Sequence, residues 1–333
     1  MEEHSDAESA PAGDTDSPVR GRTRIAVIDI GTVTTRLLVA DSDGATVDEV
    51  VRRTVVTHLG EGLLASGRLS EAGIERVAVA VRAFVEEAER LGAESMLAVA
   101  TSAARDARNG REFSERVERA GIRPRIIPGA TEARLSFSGA TYRMDDDDIL
   151  VADLGGGSTE LVFGSAHDTP QGREVEIDAA RSLDVGSRRV LDMFLASDPP
   201  TAVELAAAAS WAADEMRPFF DSLRERPRTL ITLAGTGTTL SAVKQELAVY
   251  DPGRVHLSRL TGGDVADLLA RLAAMPLADR RSVVGMDPAR ADVIVAGTVI
   301  LETIMALAGV DSTVVSEHDI LYGLVLAEAQ RPL

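Results

Sequence analysis

The sequence predicts an α/β protein built from two similar domains that face each other across a cleft. Three observations predict it. An apolar run, Ile149-Leu150-Val151-Ala152, leads into Asp153-Leu154-Gly155-Gly156-Gly157-Ser158-Thr159-Glu160, and a second run, Leu161-Val162-Phe163, follows. That order reads as strand, glycine turn, strand. The stretch Ala26–Val39 repeats it: apolar strand, Asp29, one residue, Gly31, hydroxyl residues, apolar strand. Asp29 and Asp153 stand 124 positions apart, a domain-sized period that reads as duplication. A third glycine/hydroxyl turn, Ala234-Gly235-Thr236-Gly237-Thr238-Thr239, follows the apolar Leu230–Leu233 and opens a helix. Ligands of open α/β folds bind at the carboxyl ends of strands. Three such turns in matching positions point to one shared cleft.

Taken in order, residues 1–21 form an acidic tail without apolar periodicity, expected to be disordered. Residues 22–143 make the first domain. Its strands fall at Thr23–Ile28, Arg36–Asp41 and Val47–Val56 and form a meander. Ser70 caps a long helix with apolar residues at Ile74, Val77, Val81, Phe84 and Ala88, which Gly92 ends. The strand Met96–Ala100 runs into Thr101-Ser102, a hydroxyl pair opening a helix that carries Arg105. That corner reads either as a phosphate site or as an ordinary surface ion pair. A further helix spans Thr131–Ala140, with Glu132 in its first turn. There an acid often does no more than offset the helix dipole. The acidic run Asp145–Asp148 reads as a solvated hinge loop.

Residues 144–333 make the second domain. Strands are expected at Ile149–Asp153, Thr159–Gly164, Glu174–Ile177 and Ala180–Asp184. A helix through Leu195 comes next, and then an Ala-rich helix through Trp211 that opens on the capping box Thr201-x-x-Glu204. Arg290–Ala308 reads as an amphipathic helix, with Gly297 for close packing. The last helix, about 318–330, is placed so that it can pack back on the first domain.

Composition narrows the chemistry. The chain has 333 residues, 45% of them hydrophobic, enough for two cores. No cysteine is present, which excludes disulfides, thiolate zinc sites and thiol catalysis. The five histidines show no metal-ligand spacing. The lone Lys244 follows no glycine loop of the P-loop kind. A formal charge of −18 argues against nucleic acid and membrane surfaces as partners. The first twenty residues carry no basic n-region and no apolar h-region, so a cytoplasmic location is expected.

Consecutive glycines bring bare amides close to a ligand and make a concavity suited to phosphate. Asp153 and Glu160 at the ends of that turn would repel a phosphate. A divalent cation between them removes the conflict, and hard oxygen ligands suit Mg²⁺. The plain alternative is a tight hairpin flanked by solvated acids.

The segments Val27–Thr32, Leu59-Gly60-Glu61-Gly62-Leu63, Ala100–Asp106, Glu132-Ala133-Arg134-Leu135-Ser136, Asp153–Glu160, Ala234–Thr238 and Ser316-Glu317-His318 together resemble the exopolyphosphatase/guanosine pentaphosphate phosphohydrolase (Ppx/GppA) family. They run in family order across nearly the whole chain. The resemblance implies two duplicated domains of the actin-like type, within the ribonuclease H-like sugar-kinase/ATPase superfamily. It also implies Mg²⁺-dependent release of terminal phosphate from inorganic polyphosphate or guanosine pentaphosphate, with the homodimer as a further expectation. By position, Glu132 resembles the catalytic base and Glu160 its partner near metal and water. Asp29 and Asp153 are similar to metal or metal-water ligands. Gly31, Thr32 and Arg105 resemble phosphate contacts, as do Gly156, Gly157, Ser158, Gly235 and Thr236. Val33, Thr131 and Tyr322 depart from the family pattern. The alternative is a weakly active or inactive regulatory protein that binds polyphosphate or (p)ppGpp.

Overall fold

The computed structural model describes residues 21–169 and 172–330. Apart from Gly21, the acidic tail expected at 1–21 lies outside the described residues. Among them no helix is long and apolar enough to cross a membrane. The strands are β1 (Thr23–Ile30), β2 (Thr34–Ser42), β3 (Val47–Val56), β4 (Ser95–Ala100), β5 (Arg125–Ile126), β6 (Asp146–Leu154), β7 (Thr159–Thr169), β8 (Gly172–Leu183), β9 (Thr229–Leu233), β10 (Arg259–Thr261) and β11 (Ser312–Val315). They form two sheets, ordered β3-β2-β1-β4-β5 and β10-β11-β9-β6-β7-β8.

Read outward from β3 and from β8, the two sheets share one plan, with β10 added at an edge. β1 pairs antiparallel with β2 and parallel with β4; β6 pairs antiparallel with β7 and parallel with β9. The repeat seen in sequence is therefore a repeat of topology. Its register is kept to the residue: Asp29 opposes Arg36 across one hairpin, and Asp153 opposes Glu160 across the other.

The helices used below are α1 (Glu71–Arg90), α2 (Ser102–Asp106), α3 (Gly110–Glu118), α4 (Gly129–Ala140), α5 (Ser187–Phe194), α6 (Ala202–Ser222), α7 (Ala234–Lys244), α8 (Gly262–Ala273), α9 (Ile294–Ala308) and α10 (Ile320–Ala329). β1 and β6 are central strands covered on both faces, which is why they read as unbroken apolar runs. Ala26, Ile28 and Ile30 pack on α1, while Ile25 and Val27 pack on Leu321, Leu324 and Val325 of α10. Leu150, Ala152 and Leu154 share a core with α6 and α9, while Ile149 and Val151 meet Ala133, Phe137 and Ala140 of α4.

Two helices thus cross over. α10, last in the chain, covers the first sheet, and α4, from the first half, covers the second. They touch through small residues. A Cβ on Gly139 would lie 1.8 Å from the Asp319 carbonyl oxygen, and one on Gly323 would lie 2.0 Å from that of Leu135. Packing therefore crosses the division expected at 143/144. Glu132 rides on a helix wedged at the joint between lobes.

Some elements differ from the sequence expectation. The two strands expected at Glu174–Ile177 and Ala180–Asp184 are one strand, β8. A register shift at Phe163/Gly164 pairs Gly164 with Ile177 and Phe163 with Ala179, leaving Asp178 as the extra residue. That bulge breaks the alternation and makes one strand look like two. Asp146–Asp148 open β6 instead of forming a hinge loop. α6 continues past Trp211 to Ser222 because Ala208, Ala212, Met216 and Phe219 keep one face buried. α9 begins after Arg290 and is buried nearly all round, so it has no polar face to show an amphipathic period.

Candidate active site

The cleft between the lobes holds a cavity of about 940 Å³. Eight acids line it, among them all four that the sequence singled out: Asp29 near the end of β1, Glu132 in the first turn of α4, and Asp153 and Glu160 on the β6–β7 hairpin. The three expected turns line it too, through Gly31 and Thr32, through Gly156, Gly157 and Ser158, and through Gly235 and Thr236. Arg105 does not line it. Its guanidinium donates to the Ile127 carbonyl oxygen and to Glu132 Oε2, each at 3.1 Å. The residue expected to touch phosphate is paired with Glu132.

The central glycine turn is shaped by α5, a helix that has no part in the site expected from the sequence. The Ser187 amide donates to the Gly155 carbonyl at 3.0 Å, and the Arg188 amide to that of Gly156 at 2.8 Å. Arg189 Nε donates to the Gly157 carbonyl at 3.0 Å. All three glycine carbonyls are thereby held toward α5. The amides of Gly156 and Gly157 find no acceptor among the described residues and remain available to an anion. Gly186 makes the contact possible, since a Cβ there would fall 2.4 Å from the Gly156 carbonyl oxygen. Arg189 also donates to Asp106 of α2 at 2.8 Å, tying the turn to the other lobe.

Two arginines and an aspartate join the site. Arg36 occupies the place in the first hairpin that Glu160 occupies in the second. It donates to Asp29 Oδ2 from Nη2 at 2.6 Å, and it also pairs with Asp319. Burial pulls its pKa down, but Asp319, Asp29 and Asp153 more than offset that and hold it above its ordinary value. Arg290 lies over the third turn: a Cβ on Gly235 would come 1.2 Å from Nη1. Its carboxylate partner, Asp287, is 3.7 Å away, and burial lowers its pKa. A duplicated register could have pointed to Arg36. Arg290 and Asp319 arrive through tertiary packing and carry no local signal.

The acids are strained electrostatically. Burial, then the charges of Asp153 and Asp29, push Glu132 up to about 8 against the pull of Arg105. Burial raises Asp153 to about 6, although Ser136 Oγ donates to it at 2.6 Å. Burial, Glu132 and Asp153 raise Glu160 well above the carboxylate range, although Ser182 Oγ donates to it at 2.7 Å. Burial raises Asp29 as well. Among the described residues no three acidic or histidine side chains converge on a ready-made cation site. The residues still fit a hard cation. Asp29 Oδ1 is buried and has no hydrogen-bond partner among the described residues, and the other acids repel one another.

These shifts fix a pH dependence. A carboxyl with a raised folded pKa binds more protons folded than unfolded, so stability falls as pH rises through that window. For Glu132 the window runs from 4.5 to about 8. The metal-free protein is expected to lose stability between pH 5 and pH 8, and Mg²⁺ is expected to restore more at pH 8 than at pH 5. Urea unfolding at both pH values, with EDTA or Mg²⁺, measures it. An equal Mg²⁺ effect at the two would contradict the clustering.

The departures from the family pattern fall in different places. Val33 lines the cavity, and Thr131 is exposed. Tyr322 stacks on His318, with ring centroids 4.0 Å apart, and does not line the cavity. The tyrosine therefore takes no cation from the cavity wall.

Two duplicated α/β lobes, with glycine turns and acids facing across the cleft, define a protein of the actin-like ATPase type. The chain belongs to the Ppx/GppA phosphatase family, whose model matches residues 38–328. It is 38% identical over 324 residues to Exopolyphosphatase 2 of Mycobacterium tuberculosis, covering 92% of this chain and 99% of that protein. Among solved structures it resembles an exopolyphosphatase-like protein at a TM-score of 0.86 and 34% identity, covering 93% and 98% of the two chains. The Aquifex aeolicus Ppx/GppA family member is similar at a TM-score of 0.75 and 30% identity, with 92% and 97% covered.

Proposed function

We propose that the protein is an exopolyphosphatase: it hydrolyses the terminal phosphoanhydride bond of inorganic polyphosphate and releases phosphate. Guanosine pentaphosphate, which ends in the same bond, is the second substrate. The observation that carries this reading is the placement of Glu132. It is a buried acid lining the same cavity as three phosphate-type turns, held by Arg105 and raised to about 8. A base titrating near neutral pH suits proton abstraction from water. Glu132 takes a proton from the water attacking in line on the terminal phosphorus, with Glu160 beside it on the hairpin wall. The amides of Gly156 and Gly157, with Arg290 above Gly235, receive the negative charge of the phosphoryl oxygens. Arg36 holds Asp29 in place. Bound by Asp29, Asp153 and Glu160, Mg²⁺ would supply the positive charge that these clustered acids and a polyanion together require.

Phosphate release from polyphosphates of defined length, and from guanosine pentaphosphate, tests the proposal in Mg²⁺ and in EDTA. Mg²⁺-dependent release from polyphosphate is expected. Binding of either compound without release would mark a sensor and overturn the hydrolase reading.

A further inference from the structure

One buried polar atom on the cavity wall has no place in this mechanism. Ser102, from the hydroxyl pair before Arg105, lines the cavity and is 2% exposed. Its Oγ has no hydrogen-bond partner among the described residues. What covers it is the glycine turn of the opposite lobe. A Cβ on Gly157 would lie 2.5 Å from Ser102 Oγ and 2.7 Å from Thr32 Oγ1. Two hydroxyls of the first lobe thus meet at one peptide of the second, the peptide whose carbonyl Arg189 draws away. An unpaired buried hydroxyl is unfavourable, whereas an alanine there would leave nothing unpaired. An apolar side chain would serve better if the position only packed.

We propose that Ser102 is a substrate-binding residue whose hydroxyl donates to an oxygen of the terminal phosphoryl group at the seam between the two lobes. This rests on the phosphohydrolase reading for its substrate. The hydroxyl is unpaired without ligand and becomes paired when the seam parts to admit the phosphoryl group beside the Gly157 amide. Its chemistry fits a tetrahedral oxyanion, which offers the acceptors that the surrounding protein lacks.

The test is Ser102→Ala, with two readouts that a packing role would not separate. The thermal midpoint of the ligand-free variant is expected to equal or exceed that of wild type. Its kcat/KM for polyphosphate is expected to fall by about 10- to 100-fold, mainly through KM, as suits a hydrogen bond to a charged group. Ser102→Cys, with a weak donor of similar size, is expected to fall between the two. Inorganic phosphate is the probe of binding alone: it should raise the wild-type midpoint more than that of Ser102→Ala. A kcat/KM within twofold of wild type, or an activity loss matched by a lowered midpoint, overturns the proposal. If the wild type releases no phosphate, the hydrolase reading fails, and the phosphate-induced shift alone decides on Ser102. An equal shift in both proteins, or none in wild type, removes it.

Discussion

Glu132→Gln is expected to lower kcat for phosphate release from polyphosphate by about 10²- to 10⁴-fold, the range general-base catalysis supplies. The fold should be unaffected. Glutamine keeps the shape, and its Oε1 can still accept from Arg105, which also donates to the Ile127 carbonyl. Stability should move the other way from activity. At pH 8 the wild-type carboxyl, raised to about 8 by burial and by Asp153 and Asp29, is about half ionised among like charges. The amide removes that repulsion, so the metal-free variant should unfold at higher urea at pH 8 and nearly the same urea at pH 5. The ascending limb of the wild-type pH–rate profile should vanish with it. Turnover near the wild-type rate would take Glu132 out of the reaction.

Duplication was legible because its signal is local. Asp-x-Gly between two apolar runs needs no partner to be recognised, and both copies occupy the same register. The elements feeding the turns were legible for the same reason. What the sequence hid was whatever depends on another part of the chain. The sequence places α10 where it can pack back on the first domain, but nothing near Gly139 or Gly323 announces that α4 crosses the other way or that the two glycines bring the helices together. Arg105 looked like an anion contact because it follows a hydroxyl pair, yet its direction is set by Glu132, 27 positions away. Arg189, Arg290 and Asp319 sit in ordinary helical or loop contexts. They gain meaning only from the glycine carbonyl, the glycine turn and the arginine that they meet.

Arg36→Ala is expected to destabilise the protein by about 3–5 kcal/mol at pH 7.5, the cost of leaving buried charges without their partner. Arg36 serves two acids at once. Asp29 closes β1, and Asp319 caps α10 by accepting from the Leu321 amide at 2.9 Å. The single guanidinium therefore fastens the first sheet to the helix that crosses over from the end of the chain. Without it, two buried carboxyls face each other, and the favourable response is to take up a proton. Asp29, already raised by burial, is the first candidate. The loss should thus shrink as pH falls toward 5, because the protonated acid no longer needs a cation. A loss from packing alone would be the same at both pH values. Urea unfolding of wild type and variant at pH 7.5 and pH 5 separates these accounts. A penalty below about 1 kcal/mol at pH 7.5 would mean that the pair contributes no more than a solvated surface bridge. Asp29→Asn combined with Arg36→Met removes one charge from each side and should recover part of the stability but none of the activity. In the second hairpin the equivalent position is Glu160, where the same register sets an acid opposite Asp153. One copy of the repeat sets a guanidinium against its aspartate, and the other sets two acids opposite each other with only serine hydroxyls as donors among the described residues.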